Sequence, residues 1–340
     1  MKLVSYLKDG HDQLAFYVDR CLYDTDALHP ELPNSMSMFL QYWDENFAIA
    51  QLTNKAIVEG RIGKDQALHI DAAHLLTPVP FPPSCRDAYA FKQHVETARK
   101  NRGLAMIPEF DQFPVFYFTN HHGIQGPGAI HCMPDHLQQL DFELECAIVI
   151  CKQGKNIPAA AADHYIGGLM IMNDISARQL QMEEMLLNLG PAKGKDFATA
   201  IGPWLVTTDE LKPYIVPCKQ GHTGNAYNLK MKASVNGKQV STGNVSDMQW
   251  TFAEIIERCS YGVNLYPGDI IGSGTVGTGC FLELNGTNKI NNPSHQQQWL
   301  QVGDVVEMEI EHLGKLTNTI IAEETNFSIL ALKKNSPSSI

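Results

Sequence analysis

Residues Leu140-Asp141-Phe142-Glu143-Leu144-Glu145-Cys146-Ala147-Ile148-Val149-Ile150 alternate polar and apolar side chains and then turn wholly apolar. The pattern reads as a strand entering a core. Side chains two apart in a strand share a face, so Asp141, Glu143 and Glu145 are expected on one side. Phe142, Leu144 and Cys146 belong on the other. Carboxylates stacked beside a buried run are costly unless a cation neutralises them. An isolated D-x-E-x-E reads most simply as the solvated face of an edge strand. What weighs against that here is a set of residues before and after it that a metal site requires.

Downstream, Gly167-Gly168-Leu169-Met170-Ile171-Met172 reads as a second apolar strand that ends at Asn173-Asp174. Asp174 stands where strand passes to helix, a placement that suits either a ligand on a rigid scaffold or an N-cap. Arg178 and Gln181 lie one turn apart on the helix that follows. Leu189-Gly190-Pro191-Ala192-Lys193-Gly194-Lys195 then makes a tight turn, which lacks the spacing of a P-loop. Lys195 matters only if it folds onto the acidic residues; otherwise it is a surface lysine. Upstream, Cys85 to Glu96 reads as a helix with Asp87 and His94 on one side, roughly 10 Å apart along the axis. Alone, that pair is an ordinary helix carboxylate and a surface histidine.

Four prolines between Pro78 and Pro83 can continue neither a helix nor a central strand, so they mark an extended connector and a domain boundary. Before it come short β segments about Asp9-Gly10, then a helix capped at Asn34 or Ser35 and ended by Gly60. Its Phe39, Tyr42, Trp43, Phe47 and Leu52 recur at helical spacing and read as core. Residues 104–139 read as loop, including His121-His122. Asn236-Gly237 marks a hairpin, a helix runs through residues 248–256, and residues 334–340 read as a frayed end.

The 340 residues are 44% hydrophobic and 19% charged, the composition of a soluble globular chain with one large core. A net charge of −11 with dispersed Lys and Arg argues against nucleic acid as partner. No apolar run approaches the ~18 residues of a membrane span. The N-terminus has no apolar signal region, and the eight cysteines show no C-x-x-C, so reduced thiols in a cytoplasm are expected.

Asp87, Glu143, Glu145 and Asp174 are all oxygen donors. They select a hard cation, Mg²⁺ or Ca²⁺ with Mn²⁺ as a third choice, and disfavour zinc. Four carboxylates overcharge a divalent ion, and Lys195 is the candidate to offset them. Such an ion would chelate a small anionic β-diketo or 2-oxo acid and polarise its carbonyl.

Asp87-x-Tyr89-x₄-His94, Asp141-x-Glu143-x-Glu145, Asn173-Asp174-Ile175-Ser176-Ala177-Arg178-x-x-Gln181, Gly190-Pro191-x-x-Gly194-Lys195-x-Phe197-x-Thr199 and Gly272-Ser273-Gly274-Thr275 follow one another in a familiar order. Together they resemble the fumarylacetoacetate hydrolase family, over about residues 80 to 330. The likeness implies an α+β chain with a small β-rich N-terminal domain containing a helix over residues 1–78. A metal-dependent mixed β-roll would follow over 84–334, and the chain would form a homodimer that hydrolyses a carbon–carbon bond in a β-diketo acid. By that resemblance Asp87, Glu143, Glu145 and Asp174 hold the metal, with Lys195 and Thr199 beside it. His94 is the base that activates water, oriented by Glu283, while Tyr89, Gln181 and Thr275 contact substrate. An N-terminal domain of this size resembles the true fumarylacetoacetate hydrolases more than short family members.

The chain departs from the pattern on the substrate side. Gly103 stands where the family has a substrate-binding arginine, nine residues after the base, with Arg102 one position earlier. Met185 replaces a tyrosine four residues after Gln181. The same scaffold could serve an acylpyruvate hydrolase, a 2-oxo acid decarboxylase, a hydratase or an isomerase. A non-catalytic metal or small-acid binding protein is the alternative of another class.

Overall fold

In the computed structural model, which describes residues 1–334, the chain begins as a hairpin of β1 (Lys2–Lys8) and β2 (His11–Val18). Asp9 and Gly10 sit at φ 51° and 82°, the positive pair that a two-residue turn needs. β3 (Cys21–Asp24) follows, then α1 (Met36–Gln41) and α2 (Trp43–Val58). The aromatic spacing predicts one helix here, but Tyr42 (φ −117°, ψ 48°) breaks it. The break shifts the helical phase, leaving Phe39 and Trp43 buried and Tyr42 and Leu52 exposed.

The middle of the chain supplies β4 (Cys85–Ala88), α3 (Lys92–Lys100), β5 (Phe116–Thr119), β6 (Gly128–Cys132), β7 (Leu144–Ile150) and β8 (Ile166–Asp174). After these come α4 (Arg178–Met185), α5 (Ala192–Lys195), β9 (Thr199–Thr207), β10 (Lys230–Val235), β11 (Lys238–Asn244) and α6 (Phe252–Ser260). β12 (Ile270–Gly272), α7 (Phe281–Asn291), β13 (Val305–Ile310) and β14 (Gly314–Ala322) complete the elements used below. Two sequence expectations give way. Cys85–Glu96 is no single helix: Cys85, Arg86 and Asp87 pair in parallel with Ile270, Ile271 and Gly272, and the helix starts only at Lys92. Sheet pairing outweighs local helical preference there. The stretch 104–139 contributes β5 and β6 instead of loop alone. The end expected to fray, residues 334–340, lies outside the described residues from position 335 on.

The main path of a twelve-stranded mixed sheet starts at the edge strand Leu68–His69 and continues β3-β2-β1-β9-β8-β7-β12-β4-β5. β1 joins it through Lys2 opposite Val206 and Leu3 opposite Leu205. The sheet therefore crosses the proline connector, and the N-terminal strands do not form a sheet of their own. A second, five-stranded sheet has the order β11-β10-β13-β14-β6, with the expected hairpin turn at Asn236-Gly237.

From Cys146 onward β7 is wholly apolar because both of its faces are buried. Cys146, Ile148 and Ile150 enter a core shared with Phe252, Ile255 and Ile256 of α6. Ala147 and Val149 enter another, covered by Phe39, Leu40 and Trp43. No helix among the described residues is long and apolar enough to cross a membrane. All eight cysteines are free thiols.

Candidate metal centre and its cleft

The polar residues begin where the apolar ladder ends. Leu144 lies opposite Asn173 and Glu145 opposite Met172 on antiparallel β7 and β8. Glu143 and Asp174 therefore face each other just beyond, joined by the Asp174 N–H donating to the Glu143 carbonyl at 3.3 Å. β12 runs beside β7, and β4 places Asp87 opposite Gly272. Thr199, buried at the start of β9, lies opposite Asp174. The register thus gathers Asp87, Glu143, Glu145 and Asp174 at one end of the sheet. One oxygen of each lies within 4.8 Å of the others, and all four residues are buried.

Asp141 does not join them. Leu140–Asp141 pairs separately with Ser176–Ala177, so the chain is not one strand from 140 to 150. The Asp141 carboxylate accepts from Arg178 Nε at 2.9 Å and from the amides of Phe281 and Leu282 at 2.7 and 2.9 Å. It closes the first turn of α7, the helix that carries Glu283.

Lys195 is buried, and it donates to Asp174 Oδ2 at 2.6 Å and to Glu143 Oε2. Glu184 of α4 sets this turn by accepting the amides of Lys193 at 2.8 Å and Gly194 at 3.2 Å. Burial favours a neutral Lys195 amine, but Asp174 and Glu143 outweigh it and hold the ammonium charged. An ammonium has no lone pair for an ion, so Lys195 serves the site as charge. Arg178 bridges Glu143 (Nη2–Oε1, 2.7 Å), Asp141 and the Gln181 amide oxygen (3.0 Å).

Burial, with Asp174 adding to it, pushes the Asp87 carboxyl up to about 7. Burial raises Glu145 and Asp174 as well. Glu143 goes the other way: burial would raise it, yet Lys195 and Arg178 hold it below the usual carboxylate range. Asp174 Oδ1 is buried and has no hydrogen-bond partner among the described residues. With one lysine, and an arginine shared with Asp141, the cluster is short of positive charge. An all-oxygen donor set with an orphaned carboxylate oxygen fits a hard divalent cation.

His94, on α3, is 7% exposed, and its Nδ1 lies 2.6 Å from Glu283 Oε2. Glu283 Oε1 accepts the Thr278 amide at 2.9 Å. An ionised Glu283 fixes the histidine proton on Nδ1 and leaves the Nε2 lone pair free. Cys280 lies near this pair, but burial keeps its thiol protonated, which disfavours a second metal there. Tyr89 packs edge-on against His94, ring centroids 5.8 Å apart. A cleft of about 740 Å³ is lined by Asp87, Glu143 and Lys195 together with Tyr89, His94, Arg102, Gln181, Thr275 and Glu283. Thr275 also donates to Glu145 at 3.3 Å. Sequence reasoning missed Tyr117, which lines the cleft and donates to Asp174 Oδ2 at 2.7 Å. Its signal was the run Phe116-Tyr117-Phe118-Thr119: read as a strand, it sets Tyr117 on the face opposite Phe118.

A family profile described as "Fumarylacetoacetate (FAA) hydrolase C-terminal" matches residues 84–321. The human protein named oxaloacetate tautomerase FAHD2A, mitochondrial, is 28% identical over 303 residues, covering 87% of this chain and 82% of its own. A fumarylacetoacetase from Oryza sativa subsp. japonica is 33% identical over 199 residues, covering 50% of this chain and 46% of that protein. Among solved structures, the fumarylacetoacetate hydrolase of Exiguobacterium antarcticum superposes with a TM-score of 0.67 at 24% identity. That match covers 95% of this chain and all of the other, and it shows a shared fold.

Proposed function

The chain belongs to the fumarylacetoacetate hydrolase family, and from that premise we propose that it is a metal-dependent hydrolase of a carbon–carbon bond in a β-diketo acid. Fumarylacetoacetate, cleaved to fumarate and acetoacetate, is the candidate substrate. The observation that carries the reading is the His94–Glu283 pair opening onto the same cleft as Asp87 and Glu143 of the four-carboxylate cluster. Asp87, Glu143, Glu145 and Asp174 would hold Mg²⁺ or Ca²⁺, with Mn²⁺ as the third choice. Bound there, the ion would polarise the carbonyl of a chelating substrate.

The chain's own residues do the rest. His94 Nε2 takes a proton from water, and Glu283 stabilises the imidazolium that results. The hydroxide adds to the carbonyl carbon, the carbon–carbon bond breaks, and its electron pair leaves as an enolate that a proton from His94 returns to carbon. Lys195 offers fixed positive charge to the oxygen on which negative charge develops. Tyr89, Gln181, Thr275 and Arg102 orient the substrate.

A second reading is keto–enol tautomerisation, in which His94 moves a proton at the carbon beside the ketone and no water adds. The human relative's name favours it, because that match spans most of both chains. Assays of fumarylacetoacetate cleavage and of oxaloacetate tautomerisation, each with and without chelator, separate the two. Chelator-sensitive cleavage supports hydrolysis, and tautomerisation alone supports the second reading. Activity indifferent to chelator overturns both. A homodimer in the cytoplasm belongs to the same proposal, and sedimentation of the purified chain tests the dimer.

A further inference from the structure

Asp141 is the one acid of the D-x-E-x-E run that the ion cluster leaves out, yet it is as deeply buried as the proposed ligands. Its carboxylate is fully engaged. Oδ1 accepts the amides of Phe142 at 2.9 Å and Phe281 at 2.7 Å, and Oδ2 accepts the Leu282 amide and Arg178 Nε, both at 2.9 Å. Every partner is a donor, which suits an ionised, acceptor-only group. Three segments far apart in the chain therefore meet on one side chain: the stretch before Glu143, α4 through Arg178, and the start of α7.

α7 needs that outside help. The first amides of a helix have no acceptor within it. Cys280, extended at φ −149° and ψ 158°, stands at the N-cap position without a capping side-chain hydrogen bond. Asp141 takes the amides of Phe281 and Leu282 instead, and its charge suits the positive end of the helix. Glu283 comes next, the third residue of α7. A glutamate at that place commonly turns back to cap the start of its own helix. Here its oxygens go elsewhere: Oε1 accepts the Thr278 amide at 2.9 Å, and Oε2 meets His94 Nδ1 at 2.6 Å.

Packing holds the same joint. Phe142, next to Asp141, meets Phe281 edge-on with ring centroids 5.0 Å apart, and both rings are buried. Glu283 is held at its backbone as well, because Asn101, two turns after His94 at the end of α3, donates to its carbonyl at 2.9 Å. Gly286 leaves the room for this tie, since a Cβ there would lie 2.4 Å from the Asn101 amide nitrogen. We infer that Asp141 is a positioning residue for the His94–Glu283 pair. It caps α7 from across the chain, which releases Glu283 from that task and sets its carboxylate against Nδ1. The effect on turnover rests on the role proposed above for His94, whereas the hydrogen bond itself does not.

The test is nuclear magnetic resonance of the full chain with isotope-labelled histidine. The wild type is expected to show a far-downfield imidazole Nδ1 proton, assigned by its loss in His94→Gln, because a short charge-assisted hydrogen bond holds it. In Asp141→Asn, shown folded by circular dichroism, that resonance is expected to move upfield or vanish. On whichever of fumarylacetoacetate and oxaloacetate the wild type turns over, kcat should fall about 10–10²-fold with KM within about threefold, as misplacing a base does. An unshifted resonance in the folded variant overturns the positioning role, whatever the substrate. A lost resonance with kcat unchanged supports the positioning and overturns His94 as the base. If the wild type turns over neither acid, the proposed function falls and the resonance alone decides for or against Asp141. If Asp141→Asn does not fold, hydrogen exchange of the wild type decides. Slow exchange at the Phe281 and Leu282 amides is then the expected result, and exchange as fast as that of uncapped first-turn amides overturns the role.

Discussion

At His94 the chemistry turns on which nitrogen holds the proton. Glu283 accepts from Nδ1 at 2.6 Å, which leaves Nε2 free for the proposed role of base. His94→Ala is expected to lower kcat by about 10²–10⁴-fold with divalent-ion affinity unchanged, as loss of a positioned base does. Steady-state kinetics beside a metal titration check this; wild-type kcat in the variant contradicts the role. The residues themselves were legible in sequence where a motif fixed them, as with Asp87, Glu145 and Lys195. Asp141 was not, because a two-residue alternation cannot reveal that the chain leaves the strand between Asp141 and Leu144. Its oxygens instead meet amides of a helix 140 residues later. Tyr117 escaped for a related reason: its partner Asp174 is 57 residues away.

The elements hold these groups by close approach. A Cβ on Gly272 would lie 2.5 Å from Asp87 Oδ1 and 2.9 Å from Met172 Sδ, so Gly272→Ala should displace a carboxylate of the cluster. The expected result is weaker ion binding and about 1–3 kcal/mol of lost stability, read by calorimetry with and without Mg²⁺. Glu184 clamps two successive amides of the turn that delivers Lys195. Glu184→Ala should therefore lower kcat more than it raises KM for substrate, because in the proposed mechanism Lys195 acts on developing charge. A variant with unchanged kcat contradicts that positioning role. β7 was readable from its own pattern because both faces are buried. The segment 85–96 was not, since the partner that makes Cys85–Ala88 a strand is β12, far along the chain.

Across the whole molecule the sheet binds the N-terminal strands to the rest. Residues 84–334 alone would uncover the edge of β9 and the apolar face around Leu205. That truncated chain is expected to aggregate or to melt well below the full one, as exposed edges and apolar faces do. Equal melting of both would show the larger part to be autonomous. Charge sets a second global property. Asp87 is raised from 3.8 to about 7, so the folded, ion-free chain keeps a proton that the unfolded chain releases. Stability of the ion-free chain should therefore fall as pH rises through that window, and a divalent ion should reverse the loss. Thermal melts in chelator and in Mg²⁺, below and above the window, check the sign.

The central claim is that acids from separate strands close around one hard divalent ion. Isothermal titration of Mn²⁺ or Mg²⁺ into the chelator-stripped chain tests it most directly. One ion bound per chain, with the site abolished in Glu143→Ala, is the predicted result. Absence of binding, or an affinity that Glu143→Ala leaves unchanged, would contradict it.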